Sequence, residues 1–446
     1  MRNRRNFLTK CVSLGAAGVG AHLTRLGLVS AHAQTTPAYK ALVCVFFFGG
    51  NDSNNMVVPV DGRYGAYQAL RGAVALPQGN LLAAGASGLG FHPNLSNFQR
   101  AFNATGAGQV KGAAVLNVGT LVRPTVKAML NSTPLPRNLY SHSDQTQQWQ
   151  SSDPNGGGSG WGGRVNDIAA IASQNTGAIP PGITVNGGNA LFLSGPTSRG
   201  LNFSNSGSFG LQTFGDGASM NARLASLQRV LTFDTGLQLV SAANGVLADS
   251  IRSSQEINRA LSSAPALPVT FPNSGLGQQL AQVARIMSVQ GSLGINRQIF
   301  FAGMGGFDNH ENLLANHANL MNTVNLAIGA FNDTMQAMAL ADRVTLFTES
   351  EFNRTGDSNA NNGTDHAWGG HHAVFGGAVR NGAFGTLPDF IKRGNDDAGS
   401  RGNWIPTTSL DQYAATLAGW FGVPDSDLPS IFPNIVNFPT RRLGFL

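Results

Sequence analysis

Residues 41–48, Ala-Leu-Val-Cys-Val-Phe-Phe-Phe, form an unbroken apolar run that stops at Gly49-Gly50-Asn51-Asp52-Ser53-Asn54-Asn55. A run without polar alternation reads as a strand covered on both faces, the situation of a parallel sheet between two layers of helices. Further strands are expected at 113–118, 183–185, 299–302, 344–348 and 373–375. Helix-period patterns lie between them at 218–231, 237–261, 277–289, 313–340 and 409–421. The alternation predicts an α/β fold with a mostly parallel sheet flanked by helices. From about 205 to 293 the chain has helical patterning without strong strands, so a helical insertion is expected there. No repeat of solenoid period is present.

The composition, 42% hydrophobic and only 12% charged over 446 residues, excludes a disordered chain or a coiled coil. The net charge of +6 is concentrated at the start. Arg2, Arg4, Arg5, Lys10 and Arg25 precede residue 34 with no acid among them, which leaves 24 bases against 23 acids in the remainder. A body so close to neutral has no field for a phosphate backbone, so no nucleic-acid partner is expected. Residues 1–33 have the three parts of an export signal: a basic start, a small-and-apolar stretch from Val12 to Val29, and Ala31-His32-Ala33 as a cleavage site. Asn3-Arg4-Arg5-Asn6-Phe7-Leu8 resembles a twin-arginine (Tat) signal, which implies the Tat export machinery as a partner and the periplasm or the extracellular space as destination. The alternative is an uncleaved anchor, although Gly, His and Arg interrupt the apolar stretch and it is short for a spanning helix. Beyond Lys40 no segment is expected to cross a bilayer. Cys44 is then the only thiol left in the mature chain, which excludes an internal disulfide and reads as a small core residue.

Polar residues gather where the strands end, which is where open α/β sheets bind ligands. Asp52 follows the first strand. Asp308 and His310 follow the strand near Phe301, and Glu349 and Glu351 follow the strand at Val344. Residues two apart on extended chain point to one side, so each pair could converge on an ion. A fourth cluster, Thr364-Asp365-His366-Ala367-Trp368-Gly369-Gly370-His371-His372, comes next. Mixed imidazole and carboxylate donors suit one or two divalent ions, zinc first, with manganese or iron as alternatives. Each piece alone also fits a loop-capping carboxylate or a solvated strand-end charge. His317 is expected to be structural.

Together these residues carry a resemblance. Phe47-Phe48-Gly49-Gly50-Asn51-Asp52, Ser141-His142, Gly160-Trp161-Gly162-Gly163-Arg164, Gly306-Phe307-Asp308-Asn309-His310, Glu349-Ser350-Glu351-Phe352-Asn353-Arg354, Gly363-Thr364-Asp365-His366 and the ending around Thr408–Val423 resemble the exported bacterial family called domain of unknown function 1501. The resemblance implies an alkaline phosphatase-like and sulfatase-like fold over residues 34–446, with a two-metal centre. By that resemblance Asp308, His310 and His366 would hold one ion, and Asp52 with Glu349 or Glu351 the other. Glu-Ser-Glu stands where that superfamily uses Asp-His, which puts the second ion in doubt.

A nucleophile is sought in Ser141 or Ser143, with His142 beside them as a further catalytic candidate, at the start of an expected helix, where Ser141 also fits a helix N-cap. Arg354 could grip a phosphate or sulfate, or neutralise Glu351. The glycine-rich run 156–163 before Arg164 reads as a flexible surface loop, and Trp161 and Trp368 could line a pocket mouth or pack. The expected function is an exported metal-dependent hydrolase of phosphate or sulfate esters, with a small anionic ester or a glycan as substrate. The competing class is a non-catalytic envelope binding protein that keeps the fold.

Overall fold

The apolar run at 41–48 is the heart of a nine-stranded sheet. The computed structural model describes residues 38–188, 190–203, 217–233 and 236–446, and the expected export leader lies outside them. The strands are β1 (Lys40–Phe47), β2 (Lys111–Gly119), β3 (Gly182–Thr184), β4 (Leu201–Asn202), β5 (Arg297–Met304), β6 (Val344–Glu349), β7 (Gly370–Gly376), β8 (Gly382–Phe384) and β9 (Thr408–Ser409). Across the sheet they run β8-β2-β7-β6-β1-β5-β3-β4, with β9 beside β2. Strand β1 pairs in parallel with both β5 and β6. Only β7 runs antiparallel to its neighbours β2 and β6. The chain is therefore mixed α/β with a mostly parallel sheet.

Alternation along β1 explains why it contains no polar residue after Lys40, its first. Val43, Val45 and Phe47 face one apolar layer, and Leu42, Cys44 and Phe46 face the other. Burial of each such large side chain contributes about 1.5–3 kcal/mol, so a polar residue on either face would have no place. Helices α6 (Gly275–Ser288) and α7 (Leu313–Ala337) cover the first face, and α8 (Leu410–Phe421) covers the second. Ser409 and Gln412 form a capping box at the start of α8, so helix and strand β9 meet at a fixed point.

Helices in the expected insertion differ in how they pack. The helix α4 (Ala218–Leu231) has no buried residue, and α5 (Gln238–Ser262) buries only Ile251, Ser253, Ser254 and Ile257. By contrast α6 buries Leu280, Val283, Ala284, Ile286 and Met287 against the sheet and belongs to the covering layer. Among the described residues no helix is long and apolar enough to cross a membrane.

Of the glycine-rich run 156–163, residues 156–159 form a surface loop, and 160–163 do not. Gly160 caps α3 (Trp161–Asp167), and Trp161, Gly162 and Gly163 are buried. A Cβ on Gly163 would lie 2.2 Å from the Gly195 nitrogen, so close backbone approach explains the glycine. Trp161 sits edge-on to Phe192 in the core rather than at a pocket mouth, and Trp368 is likewise buried, donating to the Thr120 carbonyl. Arg164 is occupied by the Ile431 carbonyl and the Ser151 carbonyl.

Parallel topology places four loops at one rim. Strands β1, β5 and β6 end there, β7 begins there because it runs the other way, and the segment after β2 returns there as α2 (His142–Ser151).

Candidate metal centre

Side chains from these loops meet around Asp308, on the turn that follows β5. His310 Nε2 lies 2.9 Å and His366 Nε2 3.3 Å from Asp308 Oδ1, and His142 Nε2 lies 3.5 Å from Oδ2. His310 Nε2 and His366 Nε2 are 3.3 Å apart. One donor atom each from His142, Asp308 and His366 falls within 4.8 Å of the others. The side chains of Asp308, His142 and His310 are 44%, 37% and 45% exposed, so a solute can reach them.

The other ring nitrogen of each histidine is taken. His142 Nδ1 is 2.9 Å from Glu351 Oε1, His310 Nδ1 is 3.0 Å from Asp365 Oδ1, and His366 Nδ1 is 2.8 Å from the Tyr140 carbonyl. Carboxylates and carbonyls only accept, so each Nδ1 carries a proton, and each Nε2 faces Asp308, where an ion between ring and carboxylate would take its lone pair. Acceptors behind the imidazoles are what metal-binding histidines require. His142 Nε2 is buried and has no hydrogen-bond partner of its own, an orphan that an ion would satisfy.

Charge reinforces the arrangement. The hydrogen bond that His142 donates to Glu351 raises the His142 pKa, while burial lowers that of His366. Partial burial acts against ionising Asp308, but the hydrogen bond and charge of Arg354 hold it below the usual carboxylate range. Asp365 is likewise opposed by burial, yet bonds from Arg401, His310 and Asn359 bring it down to about 2. Phe352 stacks on His366 at 4.6 Å between ring centroids and closes one side of the cluster.

Local sequence explains these positions. Ser141 is the N-cap of α2: its Oγ accepts from the Asp144 amide at 3.4 Å and donates to Asp144 Oδ2 at 2.6 Å. Tyr140 before it stands at φ 75°, a costly conformation for an aromatic residue, and presents its carbonyl to His366. Gly363 lets the loop from β6 pass the backbone of His310, since a Cβ there would lie 2.0 Å from the His310 carbonyl carbon.

Other candidates lie elsewhere. Asp52 is fully buried and bound to Arg71 of α1 (Tyr64–Arg71) at 2.6 Å, a pair with no exposure on either side chain. It is not among the donors that meet at Asp308: Arg71 takes its Oδ2, and its Oδ1 is buried without a hydrogen-bond partner. Glu349 and Glu351 do not converge on an ion. Glu349 is the last residue of β6 and sits in the core 3.6 Å from Cys44 Sγ, where burial pushes its pKa up to about 8. Glu351, just past the strand, binds His142 and accepts from the Gly49 amide at 2.7 Å. Arg354 neither neutralises Glu351 nor faces solvent. Its fully buried guanidinium donates to Asp308 Oδ1 at 2.7 Å and to the Gly49 and Thr364 carbonyls, so it positions Asp308. Ser141 is committed to its cap, and exposed Ser143 has its Oγ 3.2 Å from Ser141 Oγ. His317 is buried, with Nε2 on Asn51.

Residues 39–398 match the family described as Protein of unknown function (DUF1501). The chain belongs to that family. Among solved structures it is similar to Ps i-CgsB in complex with k-i-k-neocarrahexaose, with a TM-score of 0.34 and 9% identity over 89% of this chain and 77% of that one. It is also similar to a mutant of the alkaline phosphatase PafA, with a TM-score of 0.26 and 12% identity over 72% of this chain and 64% of that one. No curated protein matches it in sequence. Within this DUF1501 chain the residues that motif reading passed over are Arg401, Arg71 and the Tyr140 carbonyl, and Asp365 stood in a candidate cluster without a role of its own. Asp365 was adjacent to a candidate ligand, and that adjacency was its only signal.

Proposed function

We propose that this chain is an exported, metal-dependent hydrolase of phosphate or sulfate esters. The observation that carries the reading is the convergence of three imidazole Nε2 atoms on one carboxylate, each ring held by an acceptor on its far nitrogen. His142, Asp308 and His366 would hold the ion, with His310 beside them. Such mixed nitrogen and oxygen donors suit zinc, or manganese and iron. A bound ion there would supply Lewis acidity and lower the pKa of water.

The chain's own residues do the rest. Glu351, Asp365 and the Tyr140 carbonyl keep each histidine in one tautomer, Arg354 fixes the carboxylate plane of Asp308, and Phe352 keeps water from one side. Because Ser141 is bound up in its cap, water is the attacking group. Its oxygen bonds to phosphorus or sulfur, the bond to the alcohol oxygen breaks, and the alcohol leaves with a proton supplied by that water.

Purified mature protein, supplied with zinc or manganese, is expected to hydrolyse aryl phosphates or aryl sulfates and to lose that activity on chelation. A folded protein that binds no metal and turns over neither class is a non-catalytic binding protein instead.

A further inference from the structure

One loop beside the rim sorts its charges. Residues 388–403, between β8 and β9, hold the acids Asp389, Asp396 and Asp397 and the bases Lys392, Arg393 and Arg401. The acids are turned onto backbone amides. Asp397 is fully buried and accepts from the amides of Arg393, Gly399, Gly402 and Asn403, while Asp396 accepts from that of Asp389 and Asp389 from that of Ile391. The bases are turned to solvent: Lys392 and Arg393 are exposed, and the Arg401 side chain is 38% exposed. Lys127 adds a fourth base from the segment after β2, its ammonium on the Arg393 and Gly394 carbonyls.

Arg401 ties this loop to the metal centre. Its Nη1 donates to Asp365 Oδ2, and Asp365 Oδ1 faces His310 Nδ1. The backbone fixes the place. Gly402 stands at φ 74°, where a Cβ would lie 2.9 Å from Gly356 Cα, and the Asp357 amide donates to the Arg401 carbonyl at 2.8 Å. Resting on the hydrolase reading above, we propose that this basic loop is a subsite for a second anionic group of the substrate, so that the ester cleaved carries a further phosphate, sulfate or carboxylate. A guanidinium donates along more than one edge. Asp365 takes only Nη1 of Arg401, so the edge formed by Nε and Nη2 is open to two oxygens of an anion. A carboxylate and an imidazole stand between Arg401 and the Asp308 donors. The anion it takes is therefore a neighbouring group of the same molecule rather than the one held at the centre. Arg354 and Arg71 cannot share this role, because both guanidiniums are fully buried.

Calorimetry on zinc-loaded mature protein compares butylphosphonate with butane-1,4-diphosphonate, whose C–P bonds are not esters, so binding is read without turnover. Two-point attachment should favour the diphosphonate at least about tenfold, a difference of about 1.4 kcal/mol. Arg401→Ala is expected to bring that ratio down to about one, and Lys392→Ala with Arg393→Ala to lower it. Elemental analysis accompanies each variant. A ratio unchanged in zinc-retaining Arg401→Ala overturns the subsite. If Arg401→Ala releases its zinc, because Asp365 stands behind His310, an unchanged ratio in the Lys392 and Arg393 double variant overturns it instead. Equal affinity of the two ligands for the unaltered protein also overturns the subsite and leaves the hydrolase reading standing. Binding of neither ligand overturns both.

Discussion

Two groups of acids stand at the ends of the same parallel strands, and they differ in what surrounds them. At the rim, Asp308, Glu351 and Asp365 are faced by imidazoles; Asp308 and Asp365 are open toward solvent, and Glu351 is buried behind His142. Beneath it, Asp52 is sealed against a fully buried arginine and Glu349 against the apolar side of the sheet. A carboxylate in the first setting is a ligand or a ligand's partner. In the second, one is a structural counter-charge and the other a buried acid whose protonated form is favoured. Position at a strand end therefore selects candidates, and the partner decides the role.

Substitutions can break this contrast. The largest effect is expected for His366→Ala, which removes a donor without disturbing the Arg354 pair on Asp308. Bound metal measured by elemental analysis should vanish while the circular dichroism spectrum persists. Arg71→Ala should leave Asp52 buried and uncompensated and cost about 3–5 kcal/mol in denaturant unfolding. Replacing Asp52 and Arg71 together by apolar residues should restore most of that stability, and the folded double variant should keep its ion. If the double variant loses the ion, Asp52 belongs to the rim group after all. Glu351→Gln withdraws the charged acceptor behind His142. It should weaken metal affinity roughly 10–100-fold, about 1.4–2.7 kcal/mol, read by competition with a chelator.

A last contrast is a pH dependence. Burial raises the Glu349 pKa to about 8, above its unfolded value near 4.3. The folded chain therefore keeps a proton that the unfolded chain gives up between those values. The stability Glu349 contributes is full below about pH 4 and fades as pH rises through about 8. Glu349→Gln should flatten the fall in melting temperature across that window. Asp411, raised by burial to about 7, supplies a second fall that the variant keeps. An unchanged slope in the variant would place Glu349 in a polar setting.

Much of the architecture was legible because one physical signal set it. The unbroken run at 41–48 has no polar residue on either parity, so only a doubly covered strand fits it, and that fixed the layers. Strands as short as 201–202 and 408–409 carry too few residues to show a period, and the second pairs with Val118 and Gly119, remote in sequence. At the site, Asp308 and His310 could be read because the spacing is local. The partnership of Asp52 with Arg71 could not, since nothing in an Arg at the end of α1 says which way it turns. Asp-x-His spacing likewise shows two donors on one side but not that His142, more than a hundred residues upstream, completes the set.

The central claim is that His142, Asp308 and His366 enclose one ion. Anomalous diffraction at the zinc edge from a crystal of zinc-loaded protein tests it most directly. A single peak between the Nε2 atoms of His142 and His366 and the Asp308 carboxylate is the expected result. A peak beside Asp52 and Glu349, or none at all, would contradict it.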